Sequence, residues 1–336
     1  MKLVVITQRV DESDPALGAT VPKLRALAAR VDELVVLALS AQPTDLPENV
    51  RVRTFGGSGQ AVRGAKLAAA LAPELRRRPV AVLAHMSPIY AVIAAPLVRA
   101  RRAPLLLWFT HWRASSTLRL AERLVTRVVT VDSTSFPLAS SKVVPVGHGI
   151  DVDAIDVARR ADDGVLRLLA LGRTSPAKGL TTILDAVASL EGAPVELEIR
   201  GPSLTPEEVR HRDDLLARGA HVEGPVPYGE VGALFGRVDA LVNNMRAGAL
   251  DKVVYEAAAA ALPVLVASPG FDPLVGGLEP PLRFAQDDAE SLAGRILGLA
   301  AAGAGERHAI GDELRARVRR DHSVEHWAEA VLAAAR

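Results

Sequence analysis

The chain has 336 residues, too many for one ordinary core, and its 49% hydrophobic and 24% charged content describes a globular protein and excludes wholesale disorder. The net charge is only +1, yet residues 1–150 hold 20 basic and 10 acidic side chains and the remainder 20 and 29, so the first half is suited to something anionic. No cysteine is present, which excludes disulfides and thiolate metal sites.

The first half alternates short apolar runs with helical patterns. Strands are expected at 2–7, 34–39, 50–55, 79–84, 104–109, 127–132 and 142–146, and helices at 16–30, 60–77, 88–101 and 114–125. The apolar runs do not alternate strictly, so the strands are buried on both faces, as in a parallel sheet under helices. The opening MKLVVITQRV is too short an apolar run for a signal peptide, and a cytoplasmic protein is expected. Pro79 to Val98 carries no charge and is long enough to span a bilayer, but Pro79, His85, Pro88 and Pro96 divide it into strand and helix.

GGSG at Gly56–Gly59 has Val62 where a dinucleotide fingerprint needs its third glycine, which disfavours hydride transfer. LLLWFTHWRAS places His111 just past a buried strand, among Trp108, Phe109 and Trp112; such a histidine is equally a structural hydrogen-bonder or a site residue. His85 faces the same edge, and His148 sits between Gly147 and Gly149 at the junction of the halves. The histidines form no HExxH pattern, so no metal site is expected.

The charged segment after GHGID breaks the pattern. The domains are therefore read as 1–150, a linker at 151–164, a second domain at 165–306, and C-terminal helices at 307–336 that return toward the first domain. Val324, Trp327, Val331 and Leu332 form the packing stripe of that last stretch. Strands at 166–171, 194–200, 220–223, 238–242, 264–267 and 282–285 alternate with helices at 179–190, 206–218, 229–237, 251–262 and 289–301. The fold class is α/β: two doubly wound Rossmann-like domains facing across a cleft.

Two stretches of the second half carry the chemistry. LGRTSPAKGL brackets a strand–helix loop with Arg173 and Lys178, between Gly172, where the backbone turns, and Gly179. Two cations beside free helix N–H groups suit a diphosphate, although a solvated surface loop is an equal reading of this motif alone. It lacks the Walker pattern. In DALVNNMRAGALDKVVYEAAAAALPVLVAS a strand, a small-residue loop and an alanine-rich helix enclose Glu256, the only acid between Lys252 and Phe271. A buried carboxylate needs a hydroxyl or cationic partner.

In order and spacing these landmarks resemble the retaining GT-B glycosyltransferases of family 4, over essentially the whole chain. GHGID stands where that family has an Asn-Gly-Val-Asp run. LGR…KG matches its phosphate-contacting loop, and IRGP with Gly201 and HVEGPVPYGEVGALF match the strand–turn–helix series around the nucleoside. YEAAAAALPVLVAS matches the end of its paired-glutamate signature. The resemblance implies that Glu256 holds ribose hydroxyls, that Arg173 and Lys178 bind the donor diphosphate, and that His111 lies beside the transferred sugar. Gly248 stands where the family has its first glutamate, and Asp251 and Lys252 are the substitutes at hand, although Lys252 and Glu256 are also spaced as an internal ion pair. The loop QRVDESDPALG carries Asp11, Glu12 and Asp14 where the family has a glycine pair.

The function so implied is metal-independent transfer of a hexose-type sugar, with retention, from a nucleotide diphosphate donor to a hydroxyl of a glycan, lipid or small-molecule acceptor. No cofactor beyond the donor substrate is expected. The basic first half, with Arg76–Arg78, Arg99, Arg101, Arg102, Arg113 and Arg119, suggests an anionic acceptor or peripheral contact with the inner membrane face, the alternative being a solvated basic face. Nucleic-acid binding is disfavoured, because those residues lack aromatic interleaving. The rival readings are a non-catalytic nucleotide-sugar-binding protein or partner subunit, and a nucleotide-sugar epimerase of the same fold.

Overall fold

The computed structural model describes residues 1–14, 17–76, 80–155, 157–248 and 250–336. Ala16, Arg77, Arg78 and Pro79 of the expected elements and basic face, and Ala249 of the loop before the Glu256 helix, lie outside the described residues. The chain forms two compact units, Met1–Gly149 with His322–Arg336, and Ile150–Asp321.

In the first unit seven strands pair in parallel: β1 (Lys2–Val10), β2 (Glu33–Ala41), β3 (Val50–Thr54), β4 (Val80–His85), β5 (Leu105–Trp108), β6 (Arg127–Thr130) and β7 (Val143–Pro145), in spatial order β3-β2-β1-β4-β5-β6-β7. Their unbroken apolar runs follow from burial on both faces: Val4, Ile6, Val35, Leu37, Val82 and Ala84 have no exposed surface. Helices α1 (Thr20–Ala28), α2 (Gln60–Glu74), α3 (Pro88–Ala100) and α4 (Ser116–Leu124) connect the strands. Pro88 opens α3, where a missing N–H costs nothing, and the Ser115 hydroxyl accepts from Leu118 N to cap α4. The uncharged run 80–98 is thus a strand and a helix, and no described helix is long and apolar enough to cross a membrane.

The second unit has five parallel strands, β8 (Leu166–Leu171), β9 (Val195–Arg200), β10 (His221–Glu223), β11 (Ala240–Asn243) and β12 (Val264–Val266), in order β10-β9-β8-β11-β12. Its helices are α5 (Leu180–Ala188), α6 (Pro206–Ala217), α7 (Val231–Phe235), α8 (Lys252–Ala259), α9 (Asp272–Val275), α10 (Ala289–Ala301) and α11 (Ala304–Asp321). The alanines of α8 are fully buried because α11 packs on it. A Cβ at Gly311 would stand 1.9 Å from the Ala261 carbonyl oxygen, so only glycine permits that approach.

The last helix, α12 (Val324–Ala334), belongs to the first unit, and α11 to the second. Ser323 caps α12 through His326 N. Val324, Trp327, Val331 and Leu332 are all buried, and Trp327 meets Trp108 edge to face with ring centres 5.6 Å apart. The charged segment expected as a linker is tied to the second unit, with Arg307 3.1 Å from Asp162 and Arg160 3.7 Å from Asp239.

Two expected elements are smaller than the sequence suggests. The strand at 282–285 is a single bridge, Val266 to Arg283: Pro280 and Pro281 precede it and Asp287, at φ 56°, turns the chain away after it. The helix at 229–237 is a 3-10 turn, Tyr228–Glu230, followed by α7, because Gly229, Gly232 and Gly236 weaken a continuous helix.

Candidate functional site

An open parallel sheet offers its ligand crevice at the carboxyl ends of the strands, where the strand order reverses. In the second unit that point lies between β8 and β11, so the loops that flank it are residues 172–179 after β8 and, after β11, residues 244–248 with 250 and 251. Gly172, Arg173, Lys178, Gly248, Asp251 and Lys252 all belong to these two loops or the first turn beyond them. Gly201 follows the neighbouring β9, and Glu256 is one turn into α8.

The loop after β8 is tightly built. Gly172 has φ 145°, and a Cβ there would fall 2.8 Å from Lys178 Nζ. Gly201, at φ 147°, presses against it from below: an added Cβ would lie 1.8 Å from the Gly172 carbonyl oxygen. The backbone contact requires glycine at 201, and the positive φ favours glycine at 172. Gly179, at φ 59°, ends the Pro176–Lys178 turn and starts α5. Asn244 seals this end, donating to Gly179 O (3.3 Å) and to Asp287 Oδ1 (3.0 Å) and accepting from Asp287 N (3.1 Å).

The charged residues are brought together in three pairs. Lys178 Nζ is ion-paired with Asp251, which also accepts from Asn243 Nδ2 at 2.8 Å and stands at the N-cap of α8. Lys252 Nζ lies 2.8 Å from Glu256 Oε1 and 4.4 Å from the centre of the Tyr228 ring. Glu256 is 4% exposed and its partner is cationic. The Arg173 guanidinium, by contrast, is drawn to α6, where its Nη1 is 3.2 Å from buried Glu208. Arg173 and Lys178 therefore share a loop but have separate partners, and Glu256 joins neither pair.

Sequence reasoning missed Asn243, Asn244, Glu208 and Asp287. Two adjacent asparagines closing an apolar strand were the available signal for the first two, since amides at a buried strand's end need defined partners. Gly248 has φ 80°, a conformation that suits glycine and strains glutamate.

In the first unit the reversal lies between β1 and β4, and His85 ends β4 there. His85 is buried, 3.1 Å from Thr7 Oγ1; burial, with the Lys23 charge in support, lowers its pKa from 6.5 to about 3, so the ring is neutral. Met86 beside it has φ 60°, an unusual conformation for a side chain of its size. His111 follows β5, one strand further out. It is exposed, its Nδ1 accepts from Arg113 N at 3.0 Å, and its ring stacks on Trp112 with centres 5.6 Å apart. His148 is buried between Gly147 and Gly149, both at positive φ.

The exposed arginines do not form one patch. Arg99, Arg101 and Arg102 end α3 at the amino edge of the sheet, as does Arg76 after α2, whereas Arg113 and Arg119 lie at the carboxyl edge. Among the described residues no cluster of three or more His, Asp or Glu side chains is placed to hold a metal ion.

Residues 166–302, β8 through α10, match the protein-family model described as "Glycosyl transferases group 1". No curated protein matches the chain. Among solved structures it is similar to Anabaena Alr3699/HepE in complex with UDP and glucose, at 15% identity and TM-score 0.76 over 99% of this chain and 98% of that one. It is likewise similar to sucrose-phosphate synthase from Thermosynechococcus elongatus (14%, TM-score 0.77, 99% and 98% covered). A third is the α,α-trehalose 6-phosphate synthase from Burkholderia multivorans (16%, TM-score 0.73, 99% and 98%). The matched structures show the fold, two Rossmann-like units of the GT-B kind, and the matched domain supports a glycosyltransferase.

Proposed function

We infer that the protein transfers a hexose-type sugar from a nucleoside diphosphate donor to an acceptor hydroxyl. The observation that carries this reading is the concentration of Gly172, Lys178, Asp251 and Lys252 on the two loops flanking the reversal of the second sheet, within the region matched by the glycosyltransferase domain. UDP in a structure of similar fold, Alr3699/HepE, supports a uridine nucleotide as the first donor to test.

In this scheme the donor diphosphate enters between Gly172 and the N-terminus of α8. Lys178 exchanges Asp251 for phosphate oxygens, and Arg173 swings from Glu208 to the same group. These cations and the helix N–H groups stabilise the charge that grows on the leaving diphosphate, a role that needs no divalent ion. Glu256 turns from Lys252 to the ribose hydroxyls. By the family resemblance the acceptor attacks the anomeric carbon on the face the diphosphate leaves, the new C–O bond forms as the old one breaks, and a phosphate oxygen takes the acceptor proton. By the same resemblance His111 lies beside the transferred sugar.

The positive φ of Gly248 favours a second reading, a nucleotide-sugar-binding protein without turnover, because this backbone is ill suited to the family's first glutamate. Incubation with UDP-, GDP- and ADP-sugars separates them: nucleotide release that depends on added acceptor supports transfer. Binding of a sugar nucleotide without release under any acceptor would leave only the second reading.

A further inference from the structure

Between Asn49 and Ala121 the sequence holds one acid, Glu74, against twelve Lys and Arg. Glu74 is buried at the end of α2, where Lys2, Arg51 and Arg53 close around it. That segment therefore contributes no carboxylate to the opposite, carboxyl edge of the first sheet. There, the ends of β2 and β3 and the first turns of α2, α3 and α4 enclose a cavity of about 340 Å³, within the size range of small-molecule sites.

The cavity has an apolar interior and a cationic entrance. Phe55 and Leu67, fully buried, form its floor, and Leu39, Tyr90 and Ile93 its walls; Phe55 and Tyr90 meet edge to face with ring centres 5.4 Å apart. Arg63 is the one charged lining residue among those described, and it is exposed. Its Nε donates to Gly57 O at 2.7 Å, which fixes the stem. Ile89 on the lip is 46% exposed, a large aliphatic left in water.

We propose that this pocket holds a single-chain lipid phosphate, its chain inside the cavity and its phosphate against Arg63. The charge complementarity of an edge to which this segment brings no carboxylate, together with one anchored guanidinium, selects an anionic head, and the apolar floor selects an apolar tail. In the glycosyl-transfer reading, on which this role rests, the occupant is the acceptor's lipid anchor.

The test is direct binding of monomeric alkyl phosphates to the full chain without nucleotide, followed by calorimetry. Decyl phosphate binds more tightly than octyl phosphate, by about fourfold for each buried methylene. Decanol and inorganic phosphate bind at least about tenfold more weakly, since each lacks one of the two contacts. Gly64→Leu abolishes decyl phosphate binding: a Cβ at 64 stands 3.6 Å from Ile93 Cδ1, so the larger side chain fills the cavity. It also replaces a helical glycine with a better helix former, which keeps α2 folded. Arg63→Ala weakens decyl phosphate about tenfold and leaves decanol unchanged.

Unchanged binding in both variants, or no dependence on chain length, would overturn the pocket. So would equal capture of wild type and Gly64→Leu by phosphatidic acid vesicles without monomer binding, which is surface adsorption. The two readings fail separately. Decyl phosphate binding without affinity for any sugar nucleotide keeps the pocket and removes its acceptor role. Nucleotide release without decyl phosphate binding keeps glycosyl transfer and removes the lipid.

Discussion

Lys178 and Asp251 form an ion pair that fastens the loop after β8 to the N-cap of α8, across the two strands between which the second sheet reverses. The pair holds a cation at the carboxyl end of the second sheet and neutralises it; in the proposed function a diphosphate displaces the carboxylate. Removing either partner should therefore act in opposite directions on a diphosphate. Lys178→Ala should weaken UDP by about 10- to 100-fold, the worth of a charge-assisted hydrogen bond. Asp251→Asn, which leaves Lys178 uncompensated, should tighten it several-fold. Isothermal calorimetry on the two variants checks both signs, and equal affinity for all three proteins would remove the diphosphate from this crevice.

Arg173 separates a binding role from a structural one. Its side chain is 54% exposed, so its link to Glu208 contributes under about 1 kcal/mol to stability, and Glu208 keeps a 2.6 Å bond from Leu204 N. Arg173→Ala should thus shift Tm by no more than a few degrees while lowering nucleotide release at least about tenfold. A large fall in Tm with unchanged release would make Arg173 a staple for α6.

Two glycines should respond differently to substitution. Gly201→Ala sets a Cβ against the Gly172 carbonyl, where backbone must move, and should cost about 3 kcal/mol or more and disorder the loop that carries Lys178. Gly248→Glu, which introduces the glutamate that the family resemblance expects, meets the strain of positive φ, about 1–2 kcal/mol. Urea denaturation measures both costs, and a Gly248→Glu protein as stable as wild type would mean that the loop relaxes freely.

His85 gives the first unit an acid sensitivity. Its folded pKa, about 3, lies below the ordinary 6.5, so the unfolded chain takes up a proton that the native ring refuses. The stability associated with the neutral ring is present above pH 6.5 and is lost as pH falls toward 3, by at most about 1.4 kcal/mol per pH unit. His85→Gln should flatten this part of the stability profile in equilibrium denaturation between those values. A variant with the wild-type slope would assign the acid sensitivity to the carboxylates.

The doubly wound plan was legible in the sequence because buried parallel strands write themselves as unbroken apolar runs, LVVI and LLLW among them, separated by helical stretches. The same signal misled at 282–285, where Leu282 and Phe284 flank a charged Arg283 between prolines and a turn, and the run makes only a bridge. Within the site, Lys252 and Glu256 were legible as a pair, since four residues along a helix is a contact distance.

Local chemistry thus determined which segments became strands and helices, which loop carried two cations, and that a carboxylate would be buried in α8. Periodicity and turn preference act over a few residues, so they are written in the chain itself. Only the tertiary structure decided that β1 lies beside β4 and β8 beside β11, and so which loops flank a crevice. It likewise chose Asp251 for Lys178, 73 residues away, and Glu208 for Arg173, and it closed a cavity over Phe55 from elements spread across the first unit. Those pairings depend on crossover connections that bring distant residues together, and no short stretch of sequence records where a crossover returns.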